Sequence, residues 1–136
     1  MNSLFTEEPN LINLIQFQRH ESFEKEIKKL SRKHRYLNDG IMKLSKLLEI
    51  QFHPQRPKTI ISPKILHHIR ECNNFNLWKV ECAIPKSGLR AGQNPRIYFA
   101  HHGNIIYFLC LDTHSNNYED SELRSKAFER VSDFLS

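Results

Sequence analysis

Residues 77–118 read LWKVECAIPKSGLRAGQNPRIYFAHHGNIIYFLCLDTHSNNY, and several of their segments have patterns typical of β-strands. Apolar and polar side chains alternate over residues 77–84 and again over residues 96–99, as expected for half-buried strands. Residues 105–111 are apolar on both faces, which is typical of a central strand. The sequence HHGN at residues 101–104 has the composition of a hairpin turn. The stretch therefore predicts three consecutive antiparallel strands.

Two amphipathic helices are predicted before these strands. Apolar residues recur at helical spacing from residue 23 to residue 30, and the same spacing recurs from residue 37 to residue 48. Ser22 is the predicted N-cap of the first helix, and lysines and arginines fill the other faces of that helix. The short link between the two helices predicts a helical hairpin.

The remaining segments complete the predicted order of elements. Residues 11–17 predict a short first strand, residues 53–63 hold three prolines and predict a loop, and residues 64–70 predict a short turn of helix. Residues 123–135 predict a C-terminal amphipathic helix. The order strand, helix, helix, strand, strand, strand, helix predicts a single α+β domain over residues 1–136. In this domain the helices, including the hairpin, pack on one face of a small, largely antiparallel four-stranded sheet.

Composition excludes several classes of protein. The chain has 136 residues, of which 39% are hydrophobic, and this is enough for one globular domain. The longest apolar run, residues 105–111, is far too short to span a bilayer. Residues 1–10 form an extension of unknown role and carry two glutamates where a signal peptide would be basic and then apolar. We therefore expect a cytoplasmic protein that does not enter a membrane.

The cysteines and histidines argue against disulfide and metal sites. The three cysteines include no CxxC pair, and Cys82 and Cys110 lie in strand patterns, as small buried thiols do. The histidine pairs at residues 67–68 and 101–102 are adjacent in sequence, and adjacent residues on a helix or strand do not face one ligand. We therefore expect no metal and no cofactor.

The basic residues point to nucleic acid or to an acidic protein as a partner. The net charge is +5 and the pI is about 9.2. Lys79, Arg90, Arg96 and His114 all lie in the strand-forming stretch, where they could hold a phosphate group of a nucleic acid. Each of these side chains also has the ordinary alternative of a solvated surface residue.

Four segments follow one another along the chain: FEKEIKKLSRKHRYLNDGIMKLSKLL, LWKV, PRIYFAHHGNIIYFLCLD and THSNNYEDSEL. In this order and spacing they resemble the RelE/ParE superfamily of toxins from bacterial type II toxin–antitoxin systems. The first is similar to the opening helical hairpin of the family, the next two to its strands, and the last to the polar loop before its final helix. The resemblance covers nearly the whole chain, from about residue 17 to the end.

What the resemblance implies is an mRNA interferase. Such a toxin is a metal-free endoribonuclease that cuts mRNA, commonly in the ribosomal decoding site, and is neutralised by an antitoxin that is often acidic. The 2′-hydroxyl of the RNA is the nucleophile. Arg96 matches the strand arginine that contacts the scissile phosphate, and Lys79 matches the basic residue on the neighbouring strand. His114 falls in the loop where some members use a histidine for proton transfer.

The chemistry of these residue types agrees with such roles. Metal-free cleavage needs a base for the 2′-hydroxyl proton, an acid for the leaving oxygen, and cations for the charge on the phosphate. Arg96 suits the last role because a guanidinium is permanently charged and forms two parallel hydrogen bonds to phosphate. His114 suits proton transfer because imidazole changes charge near neutral pH. Lys79 suits either phosphate binding or proton transfer.

Further residues are candidates for RNA contacts. Lys86 and Arg90 lie on the glycine-containing loop over residues 85–95, from which they could reach the RNA backbone. Tyr98 shares a strand face with Arg96, and Tyr118 could stack on a base or pack against the last helix.

Departures from the family pattern leave other functions open. Glu81 stands where well-known members can carry a second basic residue, and the loop over residues 85–95 is longer than in compact members. Another branch of the superfamily inhibits DNA gyrase and is not a ribonuclease, and fold alone does not separate the two. His114 disfavours that branch, because a binding inhibitor needs no proton-transfer residue. A non-catalytic RNA- or protein-binding domain is the third possibility, and Glu81 leaves room for it.

Overall fold

The computed structural model describes residues 14–113 and 120–135. Within these ranges the chain forms the α+β architecture that the sequence predicts. The helices are α1 (Glu21–Leu30), α2 (Leu37–Gln51) and α3 (Asp120–Val131). The strands are β1 (Gln16–Arg19), β2 (Leu66–Glu71), β3 (Asn76–Glu81), β4 (Arg96–His102) and β5 (Ile105–Asp112).

The sheet has five strands in the order β1-β5-β4-β3-β2, and it is mixed. β1 runs parallel to β5, whereas the other neighbouring pairs are antiparallel. The prediction of a four-stranded sheet was therefore wrong by one strand, because residues 64–70 were expected to form a turn of helix and β2 lies there. The pairing of β2 with β3 shifts register between His68 and Arg70. This bulge at Ile69 breaks the two-residue alternation by which a strand is recognised in sequence.

Helices cover both faces of the sheet. Phe23 and Ile27 of α1, together with the buried face of α2, pack against Phe99 and Phe108 on one face. On the other face the buried residues of α3 pack against Tyr98 and its neighbours. The expectation that the helices share one face was thus wrong. β4 and β5 are buried on both sides, and each side therefore needs its own apolar cover.

The N-cap of α1 is His20, not the predicted Ser22. Nδ1 of His20 accepts a hydrogen bond from the backbone N–H of Ser22 at 3.0 Å, which satisfies one of the free donors of the first turn. Nε2 of the same ring lies 2.6 Å from Oδ2 of Asp133, just after α3. The ring therefore joins the start of α1 to the end of α3. β1 also begins later than predicted, and residues 11–13 lie outside the described part of the chain.

Gly40 allows α2 to approach the chain that follows β3. A Cβ atom added at Gly40 would lie 2.5 Å from the carbonyl oxygen of Ala83, a distance that real Cβ atoms do not show. The contact partner is backbone and cannot rotate away. Gly40 is therefore required by close packing, although glycine lowers helix propensity.

A bulge in β5 sets which residues face α3. Tyr98 pairs with Cys110 while Phe99 pairs with Phe108, so Leu109 is the extra residue. Leu109 and Cys110 consequently both join the apolar cluster under α3. The pairing of β1 with β5 extends only as far as Phe108, so the next backbone groups of β5 lose their strand partner at the same point.

Glu26 of α1 and Arg130 of α3 replace that missing strand partner. Oε1 of Glu26 accepts a hydrogen bond from the backbone N–H of Leu111 at 2.9 Å. Nη1 of Arg130 donates to the carbonyl oxygen of Leu109 at 2.8 Å. Nη2 of Arg130 lies 2.9 Å from Oε2 of Glu26, and both side chains are mostly buried. The ion pair therefore connects α1, β5 and α3 at the bulge.

No helix within residues 14–113 and 120–135 has the length and apolar character needed to cross a membrane.

We predict that Glu26→Ala lowers the free energy of unfolding by about 2–4 kcal/mol, because it leaves the Leu111 N–H and the Arg130 guanidinium buried without their acceptor. Urea denaturation measures the change. Glu24→Ala is the matched control on the same helix, because the Glu24 side chain is 54% exposed and its ion pair with Arg19 is long, at 3.6 Å. It should cost less than about 1 kcal/mol. Equal losses in the two variants would contradict this account of the bulge.

Candidate functional site

A half-open cleft of about 180 Å³ lies at the amino end of α3, on the face of the sheet that α3 covers. Its floor is formed by side chains from β2, β3 and β4, and its rim includes the loop that joins β3 to β4. The lining residues are Ile65, His67, Lys79, Glu81, Gly92, Arg96 and Asp120.

The strand register brings Lys79 and Arg96 together in this cleft. Lys79 pairs with Tyr98, and Arg96 pairs with Glu81, so all of these side chains point to one face of the sheet. Both cations converge on the carboxylate of Asp120, the first residue of α3. Nη1 of Arg96 donates a hydrogen bond to Oδ1, and Nζ of Lys79 lies 3.5 Å from Oδ2. Two predicted site residues thus share one anionic partner that the sequence analysis did not identify.

The guanidinium of Arg96 is deeply buried, although only part of its hydrogen-bonding capacity is used. Its side chain is only 9% exposed, compared with 19% for Lys79. Within the described ranges its Nε and Nη2 atoms are buried and have no hydrogen-bond partner. An unpaired buried donor is costly, roughly 1–3 kcal/mol. Arg96 therefore holds hydrogen-bonding capacity that Asp120 alone does not use.

Tyr98 supports the site from beneath. Its side chain is completely buried under α3, and its hydroxyl donates to the carbonyl oxygen of Asp120 at 3.4 Å. Burial, and secondarily the charge of Asp120, raise the pKa of Tyr98 above its ordinary value. In this structure the ring does not reach the surface, and Tyr98 orients the first residue of α3 from below the cleft.

Glu81 holds the loop over residues 85–95 against the cleft. Its Oε1 accepts hydrogen bonds from the backbone N–H of Gly92 at 2.6 Å and from Nδ2 of Asn94 at 3.2 Å. Gly92 has a φ of 89°, a conformation that favours glycine. The carboxylate that departs from the family pattern thus has a structural use, because it fixes the position of the loop.

The other predicted RNA contacts do not meet in the cleft. Nζ of Lys86 lies 5.2 Å from the ring centroid of Tyr36, on the side of the helical hairpin. Arg90 is exposed on the loop and is absent from the cleft lining, and its backbone N–H donates to the Gln93 side chain. His114 and Tyr118 lie outside the described residues.

Neither Cys82, just after β3, nor Cys110 of β5 is suited to act as a nucleophile. Burial raises the pKa of Cys82 to about 12, and burial likewise raises that of Cys110 to about 12. A thiol must be ionised to attack or to bind a metal. In addition, the residues that the structure describes contain no group of three or more histidine, cysteine, aspartate and glutamate side chains arranged to hold a metal ion.

His67 and Asp120 are cleft residues that the sequence analysis missed. His67 pairs with Lys79 across β2 and β3, but this neighbourhood appears only once β2 is known to be a strand. The sequence analysis placed Asp120 in the polar loop before the last helix, whereas in the structure it is the first residue of α3 and contacts Arg96.

Comparisons with family models, with curated proteins and with solved structures each found no match to this chain. The resemblance to RelE/ParE toxins is therefore carried by the sequence segments alone, and the functions it implies stay predictions.

We predict that Glu81→Ala loosens the loop over residues 85–95. The backbone N–H of Gly92 would lose a hydrogen bond to a charged acceptor, worth about 1.5 kcal/mol, and its hydrogen exchange should accelerate roughly tenfold. Exchange measured by NMR or mass spectrometry reports this change. Glu71→Ala, an exposed residue at the end of β2, is the control and should leave the loop unchanged. Unaltered exchange in Glu81→Ala would contradict the role of Glu81.

Proposed function

We propose that this chain is a metal-independent endoribonuclease, the toxin of a type II toxin–antitoxin system, and that it cleaves mRNA through the RNA 2′-hydroxyl. The observation that carries the proposal is the convergence of Arg96 and Lys79 on the carboxylate of Asp120. An arginine and a lysine that together hold one oxyanion are suited to hold a phosphate in the same place. In the proposal, the RNA phosphate takes the position of the Asp120 carboxylate.

The deep burial of Arg96 supports the replacement of the Asp120 carboxylate by an RNA phosphate. Its Nε and Nη2 atoms have no partner among the described residues, whereas a phosphate group has enough oxygens to accept from several donors at once. The amino end of α3 lies beside the same position, and the amino end of a helix favours negative charge. Charge that develops on the phosphate during cleavage would therefore meet donors that are already in place.

Proton transfer completes the proposed chemistry. Cleavage forms a bond between the 2′-oxygen and phosphorus and breaks the bond from phosphorus to the 5′-oxygen, so one proton is removed and another is supplied. The sequence predicts His114 for one of these transfers. Cytoplasmic mRNA, commonly in the decoding site of the ribosome, is the substrate that the resemblance implies.

We further infer that an acidic antitoxin docks on the outer face of α2. Met42, Leu47 and Ile50 are 57%, 41% and 45% exposed on this helix, and Ile60 beside it is 38% exposed. Ile60 lies close to the end of α2, because its backbone N–H donates to the Gln51 side chain at 3.0 Å. Exposed apolar residues grouped in this way are typical of protein interfaces. Three exposed lysines lie near these apolar residues along the chain, namely Lys43, Lys46 and Lys58. They favour an amphipathic partner with acidic residues.

We predict that induction of the wild-type chain arrests growth and creates new mRNA 5′ ends. The variant Arg96→Ala should lower the cleavage rate by about 10²-fold or more, because it removes a main hydrogen-bond donor to the transition state. Mapping of mRNA 5′ ends and single-turnover cleavage assays measure this. Arg70→Ala is the matched control, because Arg70 is an exposed arginine of β2 that contacts the Phe128 ring of α3 and is absent from the cleft lining.

Asp120→Asn should tighten binding of non-cleavable RNA, because it removes the competing charge.

Several outcomes would overturn this proposal. Normal growth and unchanged mRNA ends on expression of the wild-type chain would exclude a nuclease toxin. RNA binding without cleavage would instead identify a binding domain, and inhibited DNA supercoiling would identify a gyrase inhibitor. Thermal unfolding of Arg96→Ala must match that of the wild type for its loss of activity to count.

We predict that the double variant Leu47→Asp with Ile50→Asp stays toxic but escapes neutralisation by the proposed acidic antitoxin. The new carboxylates remove apolar contact and repel an acidic partner. Co-expression followed by growth measurement tests this, and Ser125→Asp on α3 is the control that should still be neutralised. Full neutralisation of the double variant would place the docking surface elsewhere.

A further inference from the structure

His67 lines the cleft, and the proposed function assigns it no role. It lies on β2, the strand at the edge of the sheet, and pairs directly with Lys79 of β3. Its imidazole is exposed and lines the same cleft as Arg96 and Asp120. It is the histidine that the structure brings to the predicted phosphate-binding residues, whereas His114 falls outside the described ranges.

One hydrogen bond determines which nitrogen of the His67 ring carries the proton when the ring is neutral. Nε2 lies 3.0 Å from the carbonyl oxygen of Lys64. A carbonyl oxygen only accepts hydrogen bonds, so Nε2 must be the donor. Nδ1 is then the nitrogen with the lone pair, and it has no hydrogen-bond partner within residues 14–113 and 120–135. This is the arrangement of a base that is held in position by its other nitrogen.

The spacing of the strands fits a single nucleotide. His67, Lys79 and Tyr98 occupy one line across β2, β3 and β4, and Arg96 lies two residues further along β4. Adjacent strands are about 4.8 Å apart, so the line from β2 to β4 is roughly 10 Å long. A phosphate held by Arg96 and Lys79 therefore leaves room for a neighbouring ribose on the side of β2, where the imidazole lies.

We propose that His67 is the general base of the cleft, the group that removes the proton from the attacking 2′-hydroxyl. This role rests on the proposed ribonuclease function. Nδ1 takes the proton while the 2′-oxygen bonds to phosphorus, and the electron pair of the breaking bond leaves with the 5′-oxygen. The 5′-oxygen takes the second proton, which is the transfer that the proposed function leaves to His114. The products are a 2′,3′-cyclic phosphate and a 5′-hydroxyl end, and His67 returns its proton to solvent.

The neighbouring histidine provides a matched control. His68 pairs with Trp78 and points to the opposite face of the sheet, where its ring lies 4.8 Å from the Trp78 ring. Its Nε2 contacts Oδ1 of Asn76 at 2.8 Å, and it does not line the cleft. Two adjacent histidines on one edge strand therefore differ in one respect that matters, which is the face they occupy.

The test is single-turnover cleavage of an mRNA segment mapped beforehand, with ribosomes present, by wild type, His67→Ala, His67→Gln and His68→Ala. We expect both His67 variants to lose about 10²-fold or more in rate, because general-base catalysis contributes about that much. Binding of the same RNA carrying a 2′-O-methyl group at the attacked ribose should change less than about threefold, since the lost group acts on the proton and not on affinity. Added imidazole should partly restore His67→Ala, and His68→Ala should cleave as the wild type does.

The pH profile gives an independent readout. The rate of wild-type cleavage should fall toward acid pH as the base becomes protonated, and this limb should disappear in His67→Gln. The charged groups that line the cleft with His67 are Lys79 and Glu81 from β3, Arg96 from β4 and Asp120 from α3, and none of the four is substituted in these variants.

The outcomes separate this role from the proposed function. If the His67 variants cleave within about threefold of the wild-type rate, His67 is not the base, while the nuclease function stands. The same conclusion follows if their loss of rate is explained by weaker RNA binding and added imidazole does not restore it. Absence of any cleavage by the wild-type chain would overturn the nuclease function, and this role would fall with it.

Discussion

The ion pair between Glu26 and Arg130 is the interaction on which the arrangement of the other elements depends. It satisfies backbone groups of β5 at the point where β1 ends and the bulge begins. Because its two side chains come from α1 and α3, it also couples the helices on opposite faces of the sheet. The bulge turns Leu109 and Cys110 toward α3, and α3 in turn carries Asp120 to the end of the sheet where Arg96 lies. The cleft therefore depends on the bulge in β5 and on the ion pair that satisfies its backbone groups.

The charges of the cleft are balanced in the structure. Lys79 and Arg96 face Asp120, while Glu81 is occupied by the loop over residues 85–95. A ligand that carries a phosphate would meet an arginine already positioned and partly unsatisfied, and it would have to displace one carboxylate. That displacement lowers affinity but favours ligands that offer more acceptor oxygens than a carboxylate does. In the proposed function, such a cleft would distinguish a phosphodiester from the acidic side chains of the protein itself.

Much of the fold could be predicted from local patterns. The hairpin of α1 and α2 and the strands β3 to β5 were predicted from apolar spacing, which depends only on neighbours along the chain. Arg96 and Lys79 were assigned to strands in the correct alternation, so their shared face followed. β2 was missed because the bulge at Ile69 interrupts the alternation and two histidines and an arginine leave it few apolar residues. His67 was missed as a cleft residue for the same reason.

The sequence by itself determined the class of the fold and the position of most elements, because periodicity is a property of the residues themselves. It also placed Arg96 and Lys79 on strands, whereas their selection as site residues came from the resemblance. Only the tertiary structure decided that β1 runs parallel beside β5, that α3 covers the second face, and that Asp120 and His67 join Arg96 and Lys79. These contacts link residues far apart in the chain. Their free energy comes from burial and hydrogen bonding between whole elements, and no local pattern contains it.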